Sequence, residues 1–250
     1  MSEFSPGLEG VVAARTAIGH VDGENGRLIY RGYSIGDLAS SMTYEEVAHL
    51  LWYGELPTTG ELAALTAHMA EHRGLSGAAM ATLRAMPADA DPMDVLRTVL
   101  SAQGASATLV RPTLDEAIRL AACLPTILAG FDRLRHGQDI VPPRKDGDHA
   151  TSYLRMLTGE EPPPEKVASL NAYLVLLADH GMNASTFTAR VIASTNSDLC
   201  SALVGAVGAL KGPAHGGAPA LVLKMLEQIG TADNVEPWMR AALGRHERLM

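Results

Sequence analysis

Start signals for helices recur along this chain at short intervals, and they constrain its fold more tightly than any other feature. Thr43-Tyr44-Glu45-Glu46 reads as a capping box, in which Thr43 accepts the Glu46 amide and Glu46 reaches back to Thr43. A helix opens there and closes at Gly54, where a left-handed residue is needed. Asp91-Pro92 sets a capping carboxylate before a proline at the first helical position, and predicts a helix to about Gly104. Thr113-Leu114-Asp115-Glu116 repeats the box and opens a long helix towards Gly137, with a kink expected at Pro125. Pro163-Pro164 opens another, whose Val167, Leu170, Leu174 and Leu177 share one face. Ser197 is expected to cap a helix that ends at Gly212-Pro213, and a further helix runs from Gly217 to Ile229 and closes at Gly230. The pattern predicts about eleven helical segments.

The residue palette agrees. Hydrophobic residues make up 47% of the 250 residues but aromatics only 4%, so Ala, Leu, Val and Met must fill the core. Such side chains suit close-packed helices better than a β-sandwich. Only residues 9–31 read differently. Val11-Val12, Ile18-Gly19-His20-Val21 and Arg27-Leu28-Ile29-Tyr30 are short β-type runs, and Asp22-Gly23-Glu24-Asn25-Gly26 supplies a hairpin loop. The expected fold class is all-α with a short N-terminal antiparallel β prologue. No fixed-period repeat occurs, which disfavours a solenoid, and residues 135–147 form the clearest loop.

Charge and cysteine usage narrow the function. Lys and Arg number 20 against 28 Asp and Glu, and a net charge of −8 repels a phosphate backbone. No nucleic-acid partner is expected. The apolar runs fall short of a bilayer span, and Met1-Ser2-Glu3-Phe4 opens no secretory signal. The expectation is a cytoplasmic protein without a membrane partner. Cys123 and Cys200 lie in apolar surroundings without a CxxC neighbour and read as free buried thiols.

Nine histidines are the catalytic stock, and two have unusual settings. His215 sits in Lys211-Gly212-Pro213-Ala214-His215-Gly216-Gly217-Ala218, a glycine-rich turn immediately before a helix. The glycines let backbone approach a ligand, and the free amides of the helix N-terminus favour a neutral imidazole there. A neutral histidine can donate a hydrogen bond to a carbonyl and stabilise an enolate. The competing reading is a residue that only caps the turn. His180, in Asp179-His180-Gly181-Met182-Asn183-Ala184-Ser185-Thr186, ends an apolar helix. It is either a satisfied core histidine or, with Asn183, Ser185 and Thr186, part of a pocket for a small carboxylate. A third pattern, His68-Met69-Ala70-Glu71-His72, fits the H-x-x-E-H of some zinc proteases. Its flanking Gly74-Leu75-Ser76-Gly77 reads as a surface helix end, so zinc hydrolysis is disfavoured and no metal is expected.

The segments around these two histidines, Ala178-Asp179-His180-Gly181-Met182-Asn183-Ala184-Ser185-Thr186-Phe187-Thr188 and Leu210-Lys211-Gly212-Pro213-Ala214-His215-Gly216-Gly217-Ala218, resemble the two histidine motifs of citrate synthases, particularly the bacterial type that includes 2-methylcitrate synthases. Gly7-Leu8-Glu9-Gly10-Val11-Val12, Gly26-Arg27-Leu28-Ile29-Tyr30-Arg31-Gly32-Tyr33-Ser34-Ile35, Pro92-Met93 with Leu96-Arg97-Thr98, and Val141-Pro142-Pro143-Arg144 carry the same likeness. It runs from end to end of the chain. The resemblance implies the citrate synthase fold, with a large helical domain over residues 1–212 and the start of a small domain over 213–250. It implies a Claisen-type condensation of acetyl-CoA, or propionyl-CoA in the 2-methylcitrate variant, with oxaloacetate, followed by thioester hydrolysis. No metal or tightly bound cofactor takes part. His215 would hydrogen-bond the thioester carbonyl as its enol forms, and His180 would hold oxaloacetate with support from Asn183 and Ser185. Gly212, Gly216 and Gly217 would give the acyl-CoA close access to backbone.

The resemblance has one large departure. The family's third histidine, its catalytic aspartate and its substrate-binding arginines belong after the position of Met250. The expectation is a truncated chain that is inactive alone, with a non-catalytic oligomerising domain as the alternative. Asp91 and Pro219 are smaller departures. A homodimer is expected on the helices near 175–193 and 197–211, where Ala202, Gly205, Ala206, Gly208 and Ala209 make a small-residue surface.

Overall fold

The computed structural model describes residues 12–105, 111–213, 215–216 and 218–245. Expectations that rest on residues 7–11, on Gly217 or on residues 246–250 lie outside them. The described residues form twelve α-helices behind a three-stranded antiparallel sheet. The sheet consists of β1 (Gly19–Asp22), β2 (Arg27–Tyr30) and β3 (Tyr33–Ser34). Asp22 closes the predicted hairpin by accepting the Asn25 amide at 3.1 Å, and Gly26 takes the positive φ the turn requires. Val12 joins no strand, and β3 was not anticipated, being only two residues long.

The helices are α1 (Ile35–Ser41), α2 (Tyr44–Tyr53), α3 (Thr59–Glu71), α4 (Gly77–Ala85), α5 (Pro92–Gly104), α6 (Leu114–Arg135), α7 (His149–Thr158), α8 (Pro164–Leu176), α9 (Ala184–Ser194), α10 (Leu199–Leu210), α11 (Ala218–Ile229) and α12 (Val235–Gly244). The capping chemistry performs as written. Thr43 and Glu46 form both arms of their box, Gly54 closes α2 in the left-handed region, and the Asp91 carboxylate accepts the amides of Met93 and Asp94. Thr113 makes only the forward bond to Glu116, and α6 runs unbroken through Pro125. The cap of α10 is Asp198 rather than Ser197, because the Asp198 carboxylate accepts the Ser201 amide at 2.7 Å.

Three apolar clusters hold these elements together. The largest joins α4, α5, α6 and α10 through Leu83, Val99, Leu100, Ile127, Phe131 and Val207. A second joins β2, α1, α2 and α8 through Tyr30, Leu38, Val47, Leu50 and Val175. The third packs Leu65 and Met69 of α3 on Ile118 and Ala122 of α6. In α8 the buried face is one step round from the predicted one. Val175 is fully buried against the second cluster, whereas Leu177 stays 45% exposed. Small residues let the backbones close up. A Cβ on Gly104 would stand 2.7 Å from the Cβ of Cys200, so only glycine permits α5 and α10 to meet there. Cys123 and Cys200 are both free and buried, and burial pushes their thiols up to about 12 and about 11, respectively.

A buried polar knot replaces apolar packing near the loop before α7. Arg73, 1% exposed, donates to the carbonyls of Arg144, Asp146 and Gly147, while Thr126 donates to the Arg73 carbonyl at 2.6 Å. The Glu45 carboxylate accepts the His149 amide at 2.6 Å. Burial raises Glu45 above the usual carboxylate range. Burial, reinforced by the Arg73 charge, lowers the His149 imidazole to about 4. The folded state therefore holds His149 neutral, while the unfolded chain takes up its proton as pH falls below about 6.5. This group's contribution is fully present above that pH and is lost between about 6.5 and 4, a fall of about 3 kcal/mol. Glu45, shifted the other way, partly offsets it. Urea unfolding at pH 7 and pH 4.5 should show the loss in the wild type and a flatter profile in His149→Gln, which keeps the backbone bond to Glu45.

Candidate active site

The site is built where a helical hairpin ends. The antiparallel partners α9 and α10 contain 11 and 12 residues, or about 17 and 18 Å of helix. Their connection is short, with Asn196 in the left-handed region. Matched lengths bring the start of α9 level with the turn that follows α10. That start is capped by Asn183, whose Oδ1 accepts the Thr186 amide at 2.9 Å and the Ser185 hydroxyl at 2.7 Å. His215 arrives from the other side. Its Nε2 accepts the Ser185 amide at 3.3 Å and lies 3.0 Å from Ser185 Oγ.

These contacts orient the ring. The Ser185 amide can only donate to Nε2, which would put the ring hydrogen on Nδ1, whereas the Ser185 hydroxyl, already donating to Asn183, could only accept from Nε2. Ser185 thus holds one ring nitrogen of His215. The His215 amide bonds the Gly212 carbonyl at 2.9 Å, and a Cβ on Gly216 would stand 2.4 Å from the Leu210 carbonyl oxygen. Gly212 and Gly216 shape the turn itself, and Gly217 lies outside the described residues. The structure therefore gathers His215, Ser185 and Asn183 into one hydrogen-bonded unit.

His180 is placed differently. It is exposed, in the segment between α8 and α9, and makes no hydrogen bond or ion pair among the described residues. It is not the satisfied core histidine of the bland reading. Its position is set by Tyr30 of β2. The fully buried Tyr30 hydroxyl accepts the Asp179 amide at 3.0 Å and lies within hydrogen-bond reach of the Leu176 and Asp179 carbonyls, at 3.1 and 3.0 Å. Burial raises its ionisation above the ordinary phenol range, so it stays a donor. The Asp179 carboxylate turns back to accept the Gly181 amide at 3.0 Å and packs against Gly19 of β1, where a Cβ would come within 2.3 Å of it. Asp179 is committed to holding the loop. Among the described residues, no carboxylate hydrogen-bonds His215, Ser185 or Asn183.

Comparison with known proteins agrees with this geometry. The family model described as "Citrate synthase, C-terminal domain" matches residues 7–250. The chain belongs to the citrate synthase family. The citrate synthase of Haloferax volcanii is 43% identical over 99% of this chain and 68% of its own length. The 2-methylcitrate synthase of Mycobacterium tuberculosis is 41% identical over 99% of this chain and 64% of its own. Among solved structures, Thermotoga maritima citrate synthase superposes with a TM-score of 0.86 at 42% identity, covering 99% of this chain and 67% of that one. The Thermoplasma acidophilum citrate synthase, solved as a ternary complex with carboxymethyl coenzyme A and oxaloacetate, reaches 0.90 at 29% identity, covering 99% and 66%. The chain thus spans about two thirds of the length of these citrate synthase relatives.

Removing the Tyr30 hydroxyl tests the clamp on the His180 loop. Tyr30→Phe leaves the buried Asp179 amide without its partner, which should cost about 1–3 kcal/mol in urea unfolding. Amide exchange at Asp179 and His180 should quicken at the same time, and an unchanged rate there would show that the loop is held by other contacts.

Proposed function

We propose that this chain carries the enolising half of a citrate synthase site, serving the condensation of acetyl-CoA with oxaloacetate to citrate and CoA. The observation that carries the reading is the hold of Ser185 on His215 Nε2, by its amide at 3.3 Å and its hydroxyl at 3.0 Å; with Nε2 accepting the amide, Nδ1–H is an oriented donor. Such a donor stabilises charge that grows on a thioester oxygen as its α-proton leaves, and so acts more in the transition state than in the ground state. The exposed His180 is suited to a carboxylate or carbonyl of oxaloacetate, with Asn183 and Ser185 holding the local backbone. The acyl-CoA would approach the backbone of the turn at Gly212 and Gly216. The oxaloacetate and coenzyme A analogue in the Thermoplasma relative support these substrates. Propionyl-CoA is the second reading, favoured by the similarity to a 2-methylcitrate synthase.

The same proposal makes the 250 residues inactive by themselves. Proton removal needs a positioned base, and Asp179 is held by Gly181 and Gly19. A thiol-release assay on this chain should read background. In an enzyme of the relatives' length, His215→Ala should lower kcat by about 10²–10³, whereas His180→Ala should mainly raise KM for oxaloacetate. Wild-type kinetics in either variant would remove that residue from the site.

We further propose two domains, with residues 1–212 as the large one, because all three apolar clusters draw on residues no later than Val207. A cytoplasmic setting fits the free buried thiols; no helix is long and apolar enough to cross a membrane among the described residues. We propose the expected homodimer as well. Of its small-residue surface, Gly205 faces Ile192 of α9 and Ala202 is buried within one chain, while a Cβ on Gly208 would meet open space. The better support is the exposed apolar set Tyr173, Leu176, Leu177, Phe187 and Val191 along α8 and α9. Sedimentation at micromolar concentration should show a dimer that Val191→Glu dissociates, and a wild-type monomer would refute it.

A further inference from the structure

The end of α3 carries a cluster that acyl transfer does not use. His68, Glu71 and His72 fall three and four residues apart, so one helical face presents all three. One ligand atom from each lies within 4.8 Å of the other two. The two imidazole centroids are 4.6 Å apart. A backbone carbonyl and a carboxylate fix the two rings. His72 Nδ1 lies 2.8 Å from the His68 carbonyl oxygen, which can only accept, so Nδ1 bears the hydrogen and Nε2 keeps its lone pair. His68 Nε2 lies 2.8 Å from the Asp115 carboxylate of α6 and donates to it, so the lone pair of His68 sits on Nδ1. Holding the far nitrogen of an imidazole against a carboxylate or carbonyl is how proteins orient a metal-binding histidine and raise its basicity.

The surroundings favour a cation. His72 is the C-cap of α3, where the last carbonyls give the helix its negative end. Glu71 is exposed and makes no ion pair among the described residues, and Arg119, beside the cluster, is bound to Asp115 at 2.8 Å. Glu71 and His72 line a cleft of about 390 Å³ with Arg119, and His68 lines a separate one of about 580 Å³ with Glu61 and Leu65.

We propose that His68, Glu71 and His72 bind a divalent first-row transition ion, Zn²⁺ being the best match, with Asp115 as a positioning residue. Two imidazoles and one carboxylate suit zinc and leave a tetrahedral position for water or another donor. The site departs from the sequence expectation of no metal, yet it does not restore the protease reading, since Glu71 serves here as a ligand. It is also independent of the acyl-transfer proposal. The cluster lies on α3, which packs on α2, α6 and α7, whereas His215 belongs to the α9–α10 hairpin.

The test is calorimetric titration of the chelator-treated 250-residue chain with zinc chloride, with Co²⁺ visible absorption as a second readout. One Zn²⁺ per chain is expected, and His68→Ala and His72→Ala should each abolish saturable binding. Asp115→Asn should weaken it about tenfold while leaving the stoichiometry at one. His136→Ala, at another helix end, should bind as wild type. If His72→Ala unfolds, His72→Gln with a wild-type unfolding midpoint in chelator gives the same reading. Absence of saturable heat in the wild type would overturn the proposal. So would wild-type binding in folded His68 and His72 variants, because it would assign the ion to other groups.

Discussion

Everything at the candidate site depends on how closely α9 and α10 lie. Gly205 is the point of approach, where a Cβ would stand 2.3 Å from Ile192 Cδ1. The small residues of α10 set the separation of the two axes, and the near-equal helix lengths set their ends level. Only then does the Ser185 amide reach His215, thirty residues later in the chain. A wider hairpin would leave the imidazole without its Ser185 contacts. Catalytic donors gain their effect from being fixed before the charge develops, so packing several residues away is part of the chemistry.

The hairpin is in turn seated on the rest of the fold. Val207 and Cys200 of α10 enter the large cluster with α4, α5 and α6, and Gly104 lets α5 reach Cys200. On the other side, the small N-terminal sheet steadies the His180 segment through one phenol. Tyr30 belongs to the apolar cluster with Leu38, Val47 and Val175, yet its hydroxyl serves the backbone around Asp179. This joins the start of the chain to a loop about 150 residues later. Sheet, helices and loop are thereby coupled by a few satisfied polar contacts within an otherwise apolar framework.

Much of this was legible in the residues because the signals are local. Capping boxes and helix-closing glycines act within one turn, so Thr43, Gly54, Asp91 and Gly230 marked element ends correctly. His215 was legible for the same reason: its glycines and its place before a helix lie within a few residues. The errors share the opposite cause. Ser197 and Asp198 both carry capping oxygens, and it is the Asp198 carboxylate that meets the Ser201 amide. The buried face of α8 is chosen by α1 and α2, so Val175 outranks Leu177 although both fit a helical repeat.

By itself, then, the sequence determined the helical class, most element boundaries, the free state of both thiols and the two histidine-bearing segments. Each follows from propensity, capping or composition, which operate over a handful of neighbours. Tertiary structure decided what lies between distant segments. It brought His215 onto Ser185, tied Asp179 to Gly19, packed Gly205 and Ala202 of α10 inside one chain, and set Asp115 of α6 against His68 of α3. Those outcomes depend on which backbones approach and how closely, and short-range pattern does not encode the distance between residues that meet only after the helices have packed.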